Sequence, residues 1–386
     1  MNRVNFQKQA FPDEEDQVKD MPVSRLALER AAIAAGRDPQ EKVSRQDVCA
    51  ELAARVLALH SVVDMSGPVP KPTRAFLEEG ATIKGQKSFL VGNTFCAHSA
   101  LQELKIPWLL DVETLRIHQP QMRIKTDENG RRPDFLGLDV DGEWHVFESK
   151  GRSSRPQPQE ITDWKQQARS IRQVNGKRVK LHIVSAAYVN KRREWELLWV
   201  DPKREAEQEE TPELSTGRFL MIYYQQMLEL ILQREAGHDF TPGALTAVLS
   251  EELGVSAGLH EVVLDALVEA GTRLQAPRQG VERVRWLGRT LQLLYGARVQ
   301  TGDPGYGPQE LSPPAVERLM SFARDVCEQS GGSLGSEPDR RIFADGLVIR
   351  SEHDKGDDRG MESNPSPKPQ PQTPRLKAFL EREKQV

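Results

Sequence analysis

"RRPDFLGLDVDGEWHVFESKGR", residues 131–152, is the stretch whose reading decides the fold. Alternating apolar residues on both sides of Asp141-Gly142 mark two strands joined by a short turn. Asp134 follows a proline at one end, and Glu148 and Lys150 stand one residue apart at the other. Whether these charges meet depends on a single residue of register. A two-residue turn sets Val140 against Glu143 and Phe135 against Glu148, which sends Asp134 and Glu148 to opposite faces. A three-residue loop, Val140-Asp141-Gly142 with Gly142 left-handed, sets Asp139 against Glu143 and Asp134 against Glu148. One face then carries Asp134, Leu136, Leu138, Trp144, Val146, Glu148 and Lys150. The other, more polar, carries Phe135, Gly137, Asp139, Glu143, His145, Phe147 and Ser149. Apolar patterning selects the three-residue loop. That register brings two carboxylates to roughly 5 Å Cβ separation. Like charges facing each other beside an apolar strip destabilise the sheet unless neutralised, and carboxylate oxygens suit Mg²⁺. On these grounds alone a plain ion-pair cluster, with Lys150 bonded to Asp134 or Glu148, stays open.

Outward from the hairpin, "NTFCAHSALQEL" (93–104) reads as a helix capped by Asn93, "QMRIKT" (121–126) as a strand and "DENG" (127–130) as a turn. After the hairpin, residues 159–174 form an amphipathic helix pattern and 179–189 a buried strand. This order predicts a mixed α/β layer with an antiparallel meander at its heart. Residues 1–22 read as a flexible acidic arm, followed by helices over 24–36 and 44–63 and the Pro-rich connector "SGPVPKPTR". "DPKREAEQEETPE" (201–213) is a charged linker. Beyond it, helices are expected over 216–235, 241–253, 257–270, 281–295 and 313–328, with a hairpin over 341–350 on an Asp-Gly turn. "SGGSLGS" (330–336) lacks a P-loop ending and reads as a hinge. The expected division is 1–89, arm and helical N-terminal region; 90–200, core; 201–213, linker; 214–350, mainly helical domain; 351–386, disordered tail.

Composition narrows the classes. The chain has 386 residues, 38% hydrophobic and 28% charged, with net charge −4. Residues 150–204, however, hold 14 Lys/Arg against 5 Asp/Glu, a local excess that suits a polyanionic partner. Cys49, Cys96 and Cys327 lie far apart without CxxC spacing, which points away from a zinc knuckle and towards a reduced, cytoplasmic setting. The N-terminus has no apolar signal-like region. The longest apolar run, "FLMIYYQQMLELIL" (219–232), is broken by Gln225, Gln226 and Glu229, so a buried helix is expected and no membrane span. That helix also offers a surface for a protein partner or a homo-oligomer. His98, His118, His145 and His182 have no metal-binding spacing, and no GxSxG or Walker A motif is present.

Pro133-Asp134 and Glu148-Ser149-Lys150 match the signature of the PD-(D/E)XK, restriction-endonuclease-like nuclease superfamily, and the chain resembles that family over roughly residues 90–195. The resemblance implies a restriction-endonuclease-like core, a mixed sheet with an antiparallel hairpin flanked by helices. It implies a Mg²⁺- or Mn²⁺-dependent nuclease acting on nucleic acid, with DNA the expected substrate. In that family pattern Asp134, Glu148 and the Ser149 backbone carbonyl hold the metal, and Lys150 orients the attacking water. A helix glutamate often joins them: Glu103 is the candidate, with Glu78 and Glu79 as poorer ones. On the helix after the lysine, Gln167, Gln166 and Arg169 are candidates for the family's glutamine or basic position. Arg152, Arg155, Arg169 and Arg172 are the phosphate-contact candidates. A core of this kind joined to a helical domain is expected to serve in a bacterial DNA-processing or phage-defence complex. The alternative is a catalytically silent nuclease fold that binds nucleic acid or scaffolds partner proteins.

Overall fold

The computed structural model describes residues 2–11, 16–35, 46–119, 131–201, 213–232, 238–241, 244–250, 254–271, 284–285, 287, 290–291, 310–334 and 340–351. Residues 352–386, and with them all but the first residue of the expected tail, lie outside the described residues.

The chain opens with strands β1 (Asn2–Gln9) and β2 (Gln17–Val23), then helices α1 (Arg25–Ala34) and α2 (Gln46–Val62). A small ribbon, β3 (Val63–Asp64) and β4 (Lys71–Pro72), leads to α3 (Arg74–Glu78) and the long α4 (Ala81–Leu104). Next come β5 (Trp108–Asp111), α5 (Val112–His118), β6 (Phe135–Leu138), β7 (Trp144–Arg152) and α6 (Pro158–Ala168). A second ribbon, β8 (Gln173–Val174) and β9 (Lys177–Arg178), precedes β10 (Leu181–Val189) and β11 (Trp195–Val200). The last part holds α7 (Thr216–Leu232), β12 (His238–Thr241), β13 (Ala244–Ser250), β14 (Val255–His260) and α8 (Glu261–Gly271). It ends with α9 (Pro313–Ser330), β15 (Ser333–Leu334), β16 (Arg340–Phe343) and β17 (Leu347–Ser351).

The molecule is mixed α/β. Its main sheet has seven strands in the order β2-β1-β11-β10-β7-β6-β5. β10 runs parallel to β7, and β1 parallel to β11; the other pairs are antiparallel. The expected antiparallel meander is present as β5-β6-β7. Its first strand is "WLLD" at 108–111, while the expected strand at 121–126 and turn at 127–130 lie outside the described residues.

Both faces of this sheet are buried. α4 covers one, over Phe135, Phe147, Ile183, Trp195 and Trp199, with Phe6 and Phe147 meeting Trp199 edge-on at 5.2 and 5.7 Å. α6 covers part of the other, with Trp164 and Ala168 on Val184, Ala186 and Leu198. The rest of that face (Leu136, Leu138, Trp144, Val146) packs under α7, where Trp144 meets Phe219 at 5.1 Å, and runs on without a break into the interior of the second sheet. The more polar face of the 131–152 hairpin is buried as well. It is the α4 face, and even Asp139 and His145 on it are buried.

Residues 2–11 and 16–22 are not a loose arm. Val4 and Phe6 point into the core, and β1 joins the main sheet through Asn5–Gln9 beside Glu196–Val200. The alternation in "NRVNFQKQ" is the strand signal. α4 begins at Ala81 rather than at Asn93, because Gly85 and Gly92 sit inside it without breaking it.

The region after residue 213 holds a sheet as well as the expected helices. β12 to β17 form a second, antiparallel sheet, β12-β13-β14-β17-β16-β15. The expected helix at 241–253 is replaced by β12 and β13, and the one at 257–270 by β14 followed by α8. "ALTAVLS" is a short apolar run, whose periodicity does not separate a buried helix from a buried strand. Sheet pairing with β14 decides it. The helices at 216–232 and 313–330 and the 340–351 hairpin stand where the sequence puts them. The expected hinge caps α9 instead: Gly331 is left-handed at φ 62° and its amide bonds Cys327. The 281–295 helix falls largely outside the described residues.

A buried junction ties the two sheets. Arg30 on α1 donates from Nε to Asp345 Oδ2 at 3.0 Å, and Tyr223 on α7 donates to the same oxygen at 2.6 Å. Tyr224 donates to the Asp345 carbonyl at 2.6 Å, and Trp108 on β5 donates to the Tyr224 hydroxyl at 2.8 Å. Among the described residues no helix is long and apolar enough to cross a membrane.

Candidate metal centre on the hairpin

The hairpin takes the three-residue register. Phe135 pairs with Phe147, Leu136 with Val146, Gly137 with His145 and Leu138 with Trp144. Gly142 is left-handed at φ 79°, and its amide donates to the Asp139 carbonyl at 3.1 Å. Only glycine enters that conformation without strain from a Cβ. The Asp139 side chain fixes the loop from inside: Oδ1 accepts the Asp141 and Glu143 amides at 2.9 Å each, and Oδ2 meets His145 Nε2 at 2.9 Å. Burial works against the Asp139 charge, but His145 and the two amides outweigh it and hold the carboxyl below its ordinary value.

The register delivers Asp134, Glu148 and Lys150 to one face. Asp134 sits just before β6, where its carbonyl accepts the Val112 amide at 2.9 Å. Its Oδ2 accepts the Ser149 amide at 2.7 Å. Lys150 Nζ lies 3.5 Å from Asp134 Oδ2 and contacts Glu148 Oε1. Glu148 is fully enclosed, whereas Asp134 and Lys150 are 20% and 24% exposed, so the cluster opens to solvent on their side.

Glu148 is the anomalous group. Apart from the Lys150 contact and the facing Asp134, neither of its oxygens meets a hydrogen-bond donor among the described residues. Burial is the main cause of its raised pKa and the Asp134 charge adds to it; Lys150 pulls the other way, and the balance leaves the carboxyl at about 9. Asp134 is raised as well, by burial first, against the pull of Lys150 and the Ser149 amide. For Lys150, burial disfavours the charge, but the two carboxylates outweigh it and raise the pKa. A buried carboxylate short of donors, facing a second carboxylate at an open edge, fits a divalent cation on donor chemistry. Asp134 and Glu148 would hold it. No group of three or more His, Cys, Asp and Glu gathers among the described residues, so the chain offers two acidic side chains there.

Glu103 does not join them. It pairs with Lys19 on β2 at 2.6 Å. α4 touches β7 at Gly92 and Gly151, and Glu103 lies eleven residues further along the helix, about 16 Å by helical rise. Glu78 pairs with Arg74 and Glu79 with Lys87. Among the α6 candidates, Gln167 is close: buried, it donates to the Arg132 carbonyl, two residues before Asp134. Gln166 is exposed, and Arg169 caps the C-terminal end of α6. Arg152 leaves the site end of β7, pairs with Glu160 and stacks on Trp164 at 5.1 Å. Arg155 donates to Gln7 at 3.3 Å and lies over Tyr188. Arg172 is half-buried on the segment after α6.

Two neighbours were not singled out from the sequence. Glu113 on α5 binds Arg132 at 3.0 Å and Arg116 at 2.8 Å, which braces the chain entering Asp134. Its only signal was the Arg131-Arg132 pair before the proline. Beneath the strand, the Cys96 thiol lies near Ser149 and Ser185, with its pKa pushed up chiefly by burial. The histidines are dispersed: His98 contacts the Pro22 carbonyl at 3.0 Å and is pushed by burial down to about 4, and His182 contacts the Ile171 carbonyl at 2.8 Å.

Compared with known proteins, the chain matches no family model, no curated protein and no solved structure.

Proposed function

We propose that residues 81–200 form a restriction-endonuclease-like core and that the protein is a metal-dependent nuclease, with DNA as its substrate. The observation that carries this reading is the convergence of Asp134, Glu148 and Lys150 on one face of the β6–β7 hairpin, with Glu148 buried and short of donors. The succession α4, β5, β6, β7, α6, β10 supports it, since helices lie on both faces of a mixed sheet and the charged cluster sits at the hairpin's open end.

In this reading Asp134, Glu148 and the Ser149 carbonyl would hold Mg²⁺ or Mn²⁺. Such an ion lowers the pKa of bound water and offsets charge on a phosphoryl oxygen. The Ser149 amide keeps the Asp134 carboxylate turned towards Glu148. The Lys150 ammonium, which bridges Asp134 and Glu148, would orient the attacking water once a cation is held there. Gln167 steadies the Arg132–Asp134 entry. The setting is cytoplasmic, and the work is that of a subunit in a bacterial DNA-processing or phage-defence complex.

The test is cleavage of plasmid, linear and single-stranded DNA and of RNA, each with Mg²⁺, Mn²⁺ or EDTA. Metal-dependent cleavage abolished by Lys150→Ala and by Asp134→Ala supports the reading. Cleavage that survives both substitutions, or no cleavage of any substrate while cations bind, sinks it; the second result favours a silent nuclease fold used for binding.

A further inference from the structure

A basic cleft lies beyond the same end of the main sheet as the metal centre. It has a volume of about 780 Å³ and opens between the β10–β11 turn and the β4–α3 segment. Lys71, Arg74, Arg192 and Arg193 line it, with Leu77 and Glu78. Glu78 is committed to Arg74 at 2.7 Å. Arg192 and Arg193 form no ion pair among the described residues, and Lys71 faces only Asp64 across its ribbon. All four basic residues are exposed.

The turn is built to present its arginines. Asn190 Oδ1 accepts the Arg192 and Glu194 amides at 2.8 and 3.0 Å, and the Arg193 amide donates to the Asn190 carbonyl at 3.0 Å. Arg193 is held left-handed at φ 58°, a conformation a long side chain seldom adopts. The other wall is fixed by the Trp195 amide, which donates to the Pro70 carbonyl at 3.0 Å, and by Phe76 against Trp195 at 5.9 Å. Phe76 and Trp195 set the cleft wall on the α4 side of the sheet, and strand register gives its offset from the site along the strands. Lys150 stands beside Ala186 and Arg152 beside Tyr188, so β10 ends three residues, about 10 Å, past Lys150.

We propose that this cleft is a phosphate-backbone site that holds a polynucleotide strand running past the metal centre. The cleft is larger than one small anion fills, and four exposed cations, with Arg192 and Arg193 in no ion pair among the described residues, suit a ligand with repeated single negative charges. Arginine's planar fork matches phosphate oxygens in pairs. The choice of a polynucleotide over other polyanions rests on the nuclease reading.

The test uses the full chain in EDTA, where cutting is off. Anisotropy of a fluorescein-labelled DNA duplex and of its single strand is measured across a salt series for the wild type and for Lys71→Glu/Arg192→Glu/Arg193→Glu. The milder Arg192→Gln/Arg193→Gln guards against misfolding, and Mn²⁺ binding at Asp134 and Glu148 is followed in separate samples free of EDTA. The expected result is at least a tenfold loss of DNA affinity in the triple variant and a log–log salt slope shallower by about two to three, with Mn²⁺ binding kept. Unchanged affinity and slope overturn the cleft and leave the nuclease reading standing. Binding to vesicles of anionic phospholipid without binding to either DNA also overturns it. Cleft-dependent DNA binding in a chain that takes up no Mn²⁺ supports the cleft and removes the nuclease reading.

Discussion

The Asp134 carboxylate accepts the backbone amide of Ser149 at 2.7 Å, across the gap between β6 and β7. One hydrogen bond therefore ties the aspartate to the strand that carries both other charged groups, and its direction fixes which way the remaining oxygen faces. Asp134→Asn keeps an acceptor for Ser149 but removes the charge. We expect it to fold as the wild type, to bind Mn²⁺ at least about a hundredfold more weakly and to lose cleavage. Calorimetry with Mn²⁺ beside a thermal melt checks this, and a variant that binds metal normally refutes the assignment.

Glu148 makes the metal-free protein pH-sensitive. Its folded pKa, at about 9, lies above the ordinary carboxylate value, so the folded state keeps a proton that the unfolded chain gives up. That stabilisation is complete below about pH 4 and is lost as pH rises through the folded value. In EDTA, denaturant midpoints should fall between about pH 5 and pH 9, and Glu148→Gln should flatten the decline. At pH 7, Mn²⁺ binding should release close to one proton, read from calorimetry in buffers of different ionisation enthalpy. Absence of proton release would show that Glu148 is already ionised.

Gly142 controls whether the site exists. A methyl at that position would lie 3.6 Å from Met320 Cε, so space is not the obstacle; the left-handed φ of 79° is. Gly142→Ala should cost about 1–2 kcal/mol by chemical denaturation, and Gly142→Asn less.

Gly151 marks the closest approach of α4 to the site. A methyl there would collide with the Ser88 carbonyl oxygen on α4. Gly151→Ala should destabilise by about 3 kcal/mol and reduce cleavage further than the stability loss explains, because Lys150 is the next residue. A melt and a rate measured well below the melting point separate the two effects.

Arg30 and Asp345 are both enclosed, with side chains 2% and 0% exposed. Arg30→Met should cost about 3–5 kcal/mol, because it leaves a buried carboxylate without its main partner. Arg30→Met combined with Asp345→Asn should recover much of that loss. Equal losses in the single and double variants would contradict the pairing.

The hairpin was the most legible part of the chain. Its patterning and Gly142 selected the observed register, and with it the convergence of Asp134, Glu148 and Lys150. The buried helix at 216–232 and the Asp345-Gly346 hairpin also followed local rules. What failed were features settled by distant partners. β1 is a strand because β11 lies beside it, β13 is a strand because β14 pairs with it, and α4 runs through Gly92 because that glycine lets it settle on Gly151. Glu103 was a sensible candidate on composition, but helical rise carries it towards Lys19 and away from the hairpin.

The pairing of β1 with β11 also bears on how the protein is made. Asn5 aligns with Glu196, so the first strand leaves the ribosome about 190 residues before its partner. Contacts of such sequence separation slow folding. Until β11 emerges, the β1–β2 hairpin has an unpaired edge, and Phe6 lacks Trp199. Nascent chains stalled before residue 195 should therefore leave β1 open to protease, and chains stalled well after residue 200 should protect it.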